Sequence, residues 1–519
     1  MQKSYIRTAT AIALMVSLAA CGVNPVTHKR ELQLVSQSEE VAIGEKNYVP
    51  ARQQQGGDYV IDPELTAYVQ SVGNKLASVS DRQLPYEFVV LNSSVPNAWA
   101  MPGGKIAFNR GLLYELNSEA ELAAVLGHEI VHAAARHGAQ SMESGMLLQG
   151  AVAAAGVALQ DQKYSDLLVG GAQVSAQLIS TKFGRDDESE SDLYGMRYMK
   201  KAGYDPRAAV TLQETFVRLS QGGKSSFIEG LFASHPPSAE RVAANKATLA
   251  ELGEGGEWGR EIYAQKVGKL KASKAAYQAY DAGVQALEKG DVKQAAALVD
   301  KAVAGEPREP RFQELKGDIA LAENRNNEAL GYYQRAIEMQ PDYFRPHVQT
   351  GTVLAKLGRQ AEAEPYLKRS IELLPTANSF YLLGQIAEAR GDVNGAMQNY
   401  QVGAASKTDV GRSSLVSFAR LELPLNPGKY LKGSVQADNM GYVFAAVDNP
   451  TPFTLEKVSI RFVRFDETTR QPNGLLNLSI DSPIYPGTRG TVKVENLQVF
   501  KDKDLQLFRV VVVGATLAK

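Results

Sequence analysis

Val125-Leu126-Gly127-His128-Glu129-Ile130-Val131-His132 is the stretch on which the reading of this chain turns. It lies within a run, from Ser118-Glu119-Ala120-Glu121-Leu122 through Ala133-Ala134-Ala135-Arg136, that predicts a helix. Ser118 or Asn117 can cap its start, and alanines and leucines follow without a proline. Positions four apart share one helix face, so His128 and His132 can aim both imidazoles at one ion. Glu129 projects about 100° round from His128, beside such a site rather than in its coordination shell. Two histidines with a neighbouring carboxylate suit Zn²⁺, one ion per chain, with Glu129 left to take a proton from an activated water. Histidine is scarce, six in 519 residues, which makes an accidental pair at this spacing the weaker reading.

Two histidines do not hold zinc alone, so a third ligand is required. Glu188-Ser189-Glu190-Ser191-Asp192 offers one at helical spacing, with Glu188 and Asp192 on a common face. Glu188 is the candidate ligand, and Asp192 the candidate partner for the N–H of a ligating histidine.

These residues resemble the HtpX, CAAX prenyl protease and β-barrel assembly-enhancing protease group of zinc metallopeptidases. Asn97-Ala98-Trp99-Ala100-Met101-Pro102-Gly103-Gly104, Asp192-Leu193-Tyr194-Gly195 and Ser234-His235-Pro236-Pro237 with Arg241 agree with that group. The resemblance covers about residues 24 to 250; Ser191 departs from it, standing where the group usually has alanine. It implies a mainly helical α+β, gluzincin-like fold. Asn97, Ala98, Trp99 and Ala100 would lie along the cleft and pair with an extended substrate by strand addition. His235 would be able to approach the metal as a regulatory ligand. Without the resemblance, residues 97–104 read only as a hairpin loop. His137, five residues after His132, reads as a solvated position off the metal face.

The N-terminus reads as an address. Lys3 and Arg7 precede an apolar run from Ala9 to Leu18 that is too short to span a bilayer. Leu18-Ala19-Ala20-Cys21 then resembles a bacterial lipobox, which implies cleavage before Cys21, lipidation of it and anchoring to a membrane. Gly22 after the cysteine favours the periplasmic face of the outer membrane under the enterobacterial sorting pattern. Cys21 is the only cysteine, so the exported chain has no internal disulfide. Lys+Arg 56 against Asp+Glu 57 gives no bulk electrostatic case for nucleic acid.

Residues 22–60 read as a polar approach ending in a loop at Gln53-Gln54-Gln55-Gly56-Gly57. Asp62–Ala77 predicts a helix, and Tyr86–Leu91 and Gly104–Phe108 predict strands. Met146–Ala158 and Leu167–Ile179 are apolar and helical, yet each is too short to cross a membrane.

From about residue 275 the chain repeats. Gly283, Gly317 and Gly351 recur at thirty-four residues, as do Ala295, Ala329 and Ala363, and Pro307, Pro341 and Pro375. Gly384, Ala396 and Tyr400 mark a fourth copy. This is the tetratricopeptide period, which predicts an α-solenoid whose concave groove would take a protein partner, the alternative being a mere spacer. Beyond it, five β-rich runs between 442 and 513 with turns at Asn449-Pro450, Pro472-Asn473-Gly474 and Pro486-Gly487 predict a small immunoglobulin-like β-sandwich.

The expected organisation is therefore multidomain: 1–21 signal peptide and lipobox, 22–252 metallopeptidase, 253–274 linker, 275–410 four repeats, and 411–519 sandwich. The expected activity is peptide-bond hydrolysis on misfolded or stalled envelope proteins. The repeats would engage protein substrates or the outer-membrane barrel assembly machinery. The alternative is a chaperone-like scaffold with little turnover, which a comparison with Glu129→Gln separates.

Overall fold

The computed structural model describes residues 21–154, 183–221 and 235–518. The predicted signal segment 1–20 and the stretch Leu167–Ile179 lie outside the described residues, as does Met146–Ala158 beyond Ala154. No helix among the described residues is long and apolar enough to cross a membrane. The chain divides into two compact units, residues 1–379 and 380–519.

The first unit opens with a two-stranded ribbon, β1 (Cys21–Val23) against β2 (Arg30–Leu32), in which Cys21 pairs with Leu32. The segment expected to be a polar approach is instead an 18-residue helix, α1 (Gln37–Gln54). A capping box starts it: Glu39 N donates to Ser36 Oγ at 3.3 Å, and Ser36 N donates to Glu39 Oε2 at 2.7 Å. Its polar surface and internal Pro50 hide it from periodicity; packing of Tyr48 and Ala51 on the sheet holds it in place.

Helix α2 (Pro63–Ala77) follows, then β3 (Glu87–Leu91), β4 (Ala98–Met101) and β5 (Lys105–Asn109). They form a sheet in the order β3-β5-β4, with β3 parallel and β4 antiparallel to β5. The segment that reads locally as a hairpin loop is thus an edge strand, Ala98 opposite Phe108 and Met101 opposite Lys105. Both faces of the sheet are covered. Phe88, Val90, Ala98, Ala100, Ile106 and Phe108 enter the main core, while Val89, Leu91, Trp99, Met101 and Ala107 pack with Tyr48 of α1.

Among the described residues the peptidase region continues with α3 (Arg110–Leu113), α4 (Glu119–Ala134), α5 (His137–Ala154), α6 (Arg185–Lys201), α7 (Arg207–Gln221) and α8 (Ala239–Leu252). Residues 253–274, expected to be a linker, are built into this core. They carry α9 (Arg260–Lys266) and α10 (Gly268–Ala272). Fully buried Tyr263 donates to the Leu113 carbonyl at 2.7 Å. Glu119 N and Ala120 N donate to the carbonyls of Gly259 and Trp258 at 3.3 and 3.1 Å. The segment thereby satisfies amides at the start of α4 that have no partner within the helix.

Helical hairpins follow: α11 (Lys274–Glu288) with α12 (Val292–Gly305), α13 (Pro310–Ala322) with α14 (Asn326–Met339), and α15 (Phe344–Lys356) with α16 (Gln360–Leu373). The recurring glycines sit where paired helices touch. A Cβ on Gly317 would come within 2.4 Å of the Tyr333 ring, and one on Gly351 within 2.5 Å of Leu367. The recurring Ala295, Ala329 and Ala363 are fully buried. Gln53 ties these repeats to the peptidase region, donating to the Asp342 carbonyl at 2.7 Å and accepting from Phe344 N at 2.8 Å. His347 is buried with its Nε2 2.8 Å from the Pro341 carbonyl.

The second unit begins inside α17 (Ala377–Ala389), which pairs with α18 (Val393–Gly403). Residues 411–431, expected within the sandwich, contribute no strand to it, although Leu423, Tyr430 and Leu431 pack into its core. The segment belongs to α19 (Asp409–Glu422) and α20 (Pro427–Tyr430), and Phe418 and Leu421 of α19 cover Ala387, Ala396 and Tyr400. The strands are β6 (Lys432–Ala437), β7 (Tyr442–Asp448), β8 (Leu455–Phe465), β9 (Pro472–Ile480), β10 (Arg489–Gln498) and β11 (Phe508–Leu517). Two antiparallel sheets, β10-β7-β6 and β11-β8-β9, share one core through Val443, Ala445, Ile460, Phe462, Val494 and Phe508.

Candidate metal centre

Helix α4 begins at Ser118, whose Oγ accepts from Glu121 N at 3.1 Å, and Glu119 and Glu121 complement the helix dipole. Its face carrying His128 and His132 meets α6 at a pair of glycines, Gly127 and Gly195. That close crossing brings Glu188 and Asp192 of α6 against the two histidines.

His128 Nε2 and His132 Nε2 are 3.0 Å apart. Glu188 Oε2 lies 3.6 Å from His128 Nε2, and Oε1 lies 3.4 Å from His132 Nε2. His235, just before α8, joins them: its Nδ1 is 2.9 Å from Glu188 Oε1 and 3.3 Å from His128 Nε2. The four donors all lie within 4.8 Å of one another. Ligands about 2.0–2.1 Å from a tetrahedral ion stand roughly 3.3 Å apart, so this spacing fits one metal ion.

The outward nitrogens of both α4 histidines are fixed. His128 Nδ1 lies 3.0 Å from Asp192 Oδ1, so its proton belongs there and Nε2 is left as a ligand. Asp192 in turn accepts from Arg241 Nε and Nη2, both at 2.8 Å. Burial alone would raise the Asp192 pKa, but these bonds and His128 hold it below the usual value. Arg241 Nη1 also lies 2.8 Å from Glu188 Oε2, so one guanidinium orients two acidic groups. Burial likewise opposes ionisation of Glu188, yet the neighbouring imidazoles of His128 and His235 outweigh it and hold its pKa below the ordinary carboxylate value.

His137 is not solvated. Arg136 turns the chain in the left-handed region at φ 66, ending α4, so His137 starts a new helix and swings back inward. Such a φ costs a non-glycine residue about 1–2 kcal/mol. Here it is held by Arg136 Nη2 donating to Glu143 Oε1 at 3.1 Å and to the Val35 carbonyl at 2.7 Å. His137 Nδ1 comes to rest 2.9 Å from His132 Nδ1, with Glu190 Oε2 3.6 Å from its Nε2. Proton placement follows: His132 Nδ1–H faces the His137 lone pair, which leaves His132 Nε2 toward the metal. Burial lowers the His132 pKa, favouring the neutral ligand form. Phe183 stacks on the His132 ring at 4.0 Å, a contact with no signal in the sequence.

Glu129 is buried beside the cluster. Its Oε1 is 3.6 Å from His235 Nε2, and its Oε2 has no hydrogen-bond partner. Burial raises its pKa above the ordinary carboxylate value, which strengthens it as a base. Next to it opens a pocket walled by Leu112, Val125, Met196, Met199, Leu212 and Phe216 and bordered by Ala98. Trp99 points to the opposite face of the sheet, edge-on to Tyr48 at 5.9 Å. Asn97 Oδ1 is buried without a partner, and the side of β4 away from β5 carries no strand among the described residues. Cys21 opens β1 and is not a member of this cluster.

Residues 63–249 match peptidase family M48, and residues 280–344 match a tetratricopeptide repeat family. The chain is 25% identical over 444 residues to the beta-barrel assembly-enhancing protease of Escherichia coli (strain K12), covering 75% of this chain and 88% of that protein. It is 26% identical to the Yersinia pestis protein of the same name, over 69% of this chain and 79% of that one. It is 32% identical over 233 residues to the mitochondrial metalloendopeptidase OMA1 of Schizosaccharomyces pombe, 44% of this chain and 66% of that protein. The resemblance read from HEIVH and Glu188–Asp192 is thereby borne out: the chain is a metallopeptidase that matches peptidase family M48 over residues 63–249 and also carries tetratricopeptide repeats.

Proposed function

We propose that this chain is a zinc endopeptidase of the bacterial envelope that cleaves misfolded or stalled outer-membrane proteins, anchored by lipid on Cys21 to the periplasmic face of the outer membrane. The observation that carries the reading is the convergence of His128, His132 and Glu188 around one point with Glu129 beside it. The names of the bacterial relatives, beta-barrel assembly-enhancing protease, supply the setting of β-barrel assembly.

His128, His132 and Glu188 would hold the ion, and Asp192 and His137 would keep the two imidazoles in their ligating tautomers. Zinc bound there supplies Lewis acidity toward a peptide carbonyl and toward water. Glu129 takes the proton from the attacking water on its unpartnered Oε2 and passes it to the leaving amine. An extended client lies along β4 by strand addition, with Asn97, Ala98, Trp99 and Ala100 supplying the main-chain edge. A hydrophobic side chain of the client fits the pocket walled by Met196, Leu212 and Phe216. The repeats bring in the client or the assembly machinery that holds it.

The test is cleavage of an unfolded outer-membrane barrel protein by the purified zinc-loaded chain and by Glu129→Gln. Loss of cleavage by at least a hundredfold with zinc retained is expected, since general-base catalysis contributes about 10²–10⁴. Equal cleavage by both proteins would end this reading.

A further inference from the structure

The edge strand β4 is tied to the repeats by one buried chain of hydrogen bonds. Glu309 caps α13, between the first and second hairpins, where its carboxylate accepts from Arg311 N at 3.0 Å and Tyr277 OH at 2.6 Å. It also reaches into the peptidase region and accepts from Asn92 Nδ2 at 2.9 Å. Asn92, the residue after β3, accepts in turn from Arg110 Nε at 2.8 Å. Arg110 Nη2 donates to Ser94 Oγ at 2.7 Å, and the guanidinium lies 3.5 Å over the Tyr277 ring. Asn92 therefore stands between a carboxylate carried by the repeats and a guanidinium carried by the peptidase.

The turn that leads into β4 hangs from the same point. Gly111 N donates to the Ser93 carbonyl at 3.0 Å, Asn109 Nδ2 to Val95 O at 3.0 Å, and Asn109 N to Asn97 O at 2.8 Å. Glu309 and Asn109 are 0% exposed, Arg110 2% and Asn92 4%. Burying such groups is costly unless each is bonded, and apolar packing would give comparable or greater stability. What the polar relay adds is direction. The Asn92 amide has only one orientation that donates to Glu309 and accepts from Arg110, so the start of the turn is set by where α13 lies.

We propose that Glu309 is a positioning residue of the peptidase: acting through Asn92 and Arg110, the repeats hold the 92–97 turn and so set β4 for pairing with an extended substrate. This rests on the reading of β4 as the substrate-pairing edge. The repeats thus act on the cleft as well as on the client.

The test uses the zinc-loaded full chain and two fluorogenic peptides sharing one scissile bond, one of about ten residues and one of about four. Only the longer peptide spans β4. Wild type should favour the longer peptide through KM; no such preference would overturn strand pairing on β4, and the positioning role with it. Given that preference, Asn92→Ala should lower the ratio of kcat/KM for long over short peptide about tenfold, again through KM. Glu309→Gln should keep most of the ratio, because its Oε1 still accepts from Asn92 and its amide can donate to the Tyr277 hydroxyl. Amide hydrogen exchange of Ala98–Met101 should quicken in Asn92→Ala while Glu119–Ala134 stays protected. An unchanged ratio in folded, zinc-loaded Asn92→Ala, or unchanged exchange in β4, would overturn the proposal while leaving strand pairing standing.

Discussion

Gly127 and Gly195 face each other where α4 crosses α6, and a Cβ on Gly195 would lie 3.0 Å from His128 N and 3.1 Å from Gly127 C. The neighbours are backbone, so nothing nearby can rotate out of the way. The two helices that carry the candidate ligands are therefore spaced by the absence of a side chain.

Gly195→Ala should push α6 away from α4 and separate Glu188 from His128 and His132. We expect a destabilisation of about 1–3 kcal/mol, the usual cost of overpacking. Weaker metal retention on dialysis should accompany the lower Tm. A variant with unchanged Tm and metal content would show that the crossing relaxes freely.

Metal analysis of the mature protein should find about one zinc per chain, and His128→Ala should lose both the ion and proteolysis. Zinc kept at full stoichiometry in that variant would mean that the site lies elsewhere.

Arg241→Ala removes the donors that hold Asp192 and crowd Glu188. Zinc affinity should fall about 10–100-fold, the range for loss of a group that orients a ligand. Arg241→Lys should recover only part of this, because one ammonium cannot reproduce the fork to both acidic groups. Competition against a zinc chelator measures both. Equal affinity in wild type and Arg241→Ala would reduce the arginine to a packing role.

The local parts of this architecture were legible because local rules govern them. HEIVH on an Ala-rich helix, Glu188 one turn from Asp192, and glycines thirty-four apart each follow from helix geometry, and the structure brings the first two segments together. The unreadable parts depend on distant partners. His137 turns inward because Glu40, Glu143 and the Val35 carbonyl hold Arg136 in a left-handed conformation. Residues 253–274 look like a linker until their carbonyls are seen serving the amides of Glu119 and Ala120. Helix α1 carried a readable capping box at Ser36 and Glu39, but its polarity outweighed that signal. Arg241 was visible as a motif residue, whereas its hold on both Asp192 and Glu188 exists only in three dimensions.

Cys21→Ala should abolish labelling by a radioactive fatty acid and move the protein from the membrane fraction to the soluble one. Cys21 closes the lipobox-like Leu18-Ala19-Ala20-Cys21, so lipid is the expected tether. A variant that stays firmly in the membrane fraction would transfer the anchoring role to another segment.

His235→Ala should raise basal cleavage, self-cleavage included. A zinc held by His128, His132 and Glu188 keeps one position for water, and a neutral imidazole competes well for it. His235 stands within reach of that position, with Nδ1 3.3 Å from His128 Nε2 and 2.9 Å from Glu188 Oε1. Arg241 fixes the backbone next to it, donating from Nη1 to the Pro236 carbonyl at 3.1 Å, and Pro236 and Pro237 stiffen the segment. Occupation of the open position displaces the nucleophile, which suits a protease that must spare correctly folding clients. A client that draws the segment away then activates the enzyme by population shift, given higher affinity for the open form. Glu129→Gln in the His235→Ala background should silence the added activity, which ties it to this site. Lower activity in His235→Ala with zinc still bound would instead make the residue a contact to the substrate or transition state, and the gate would be wrong.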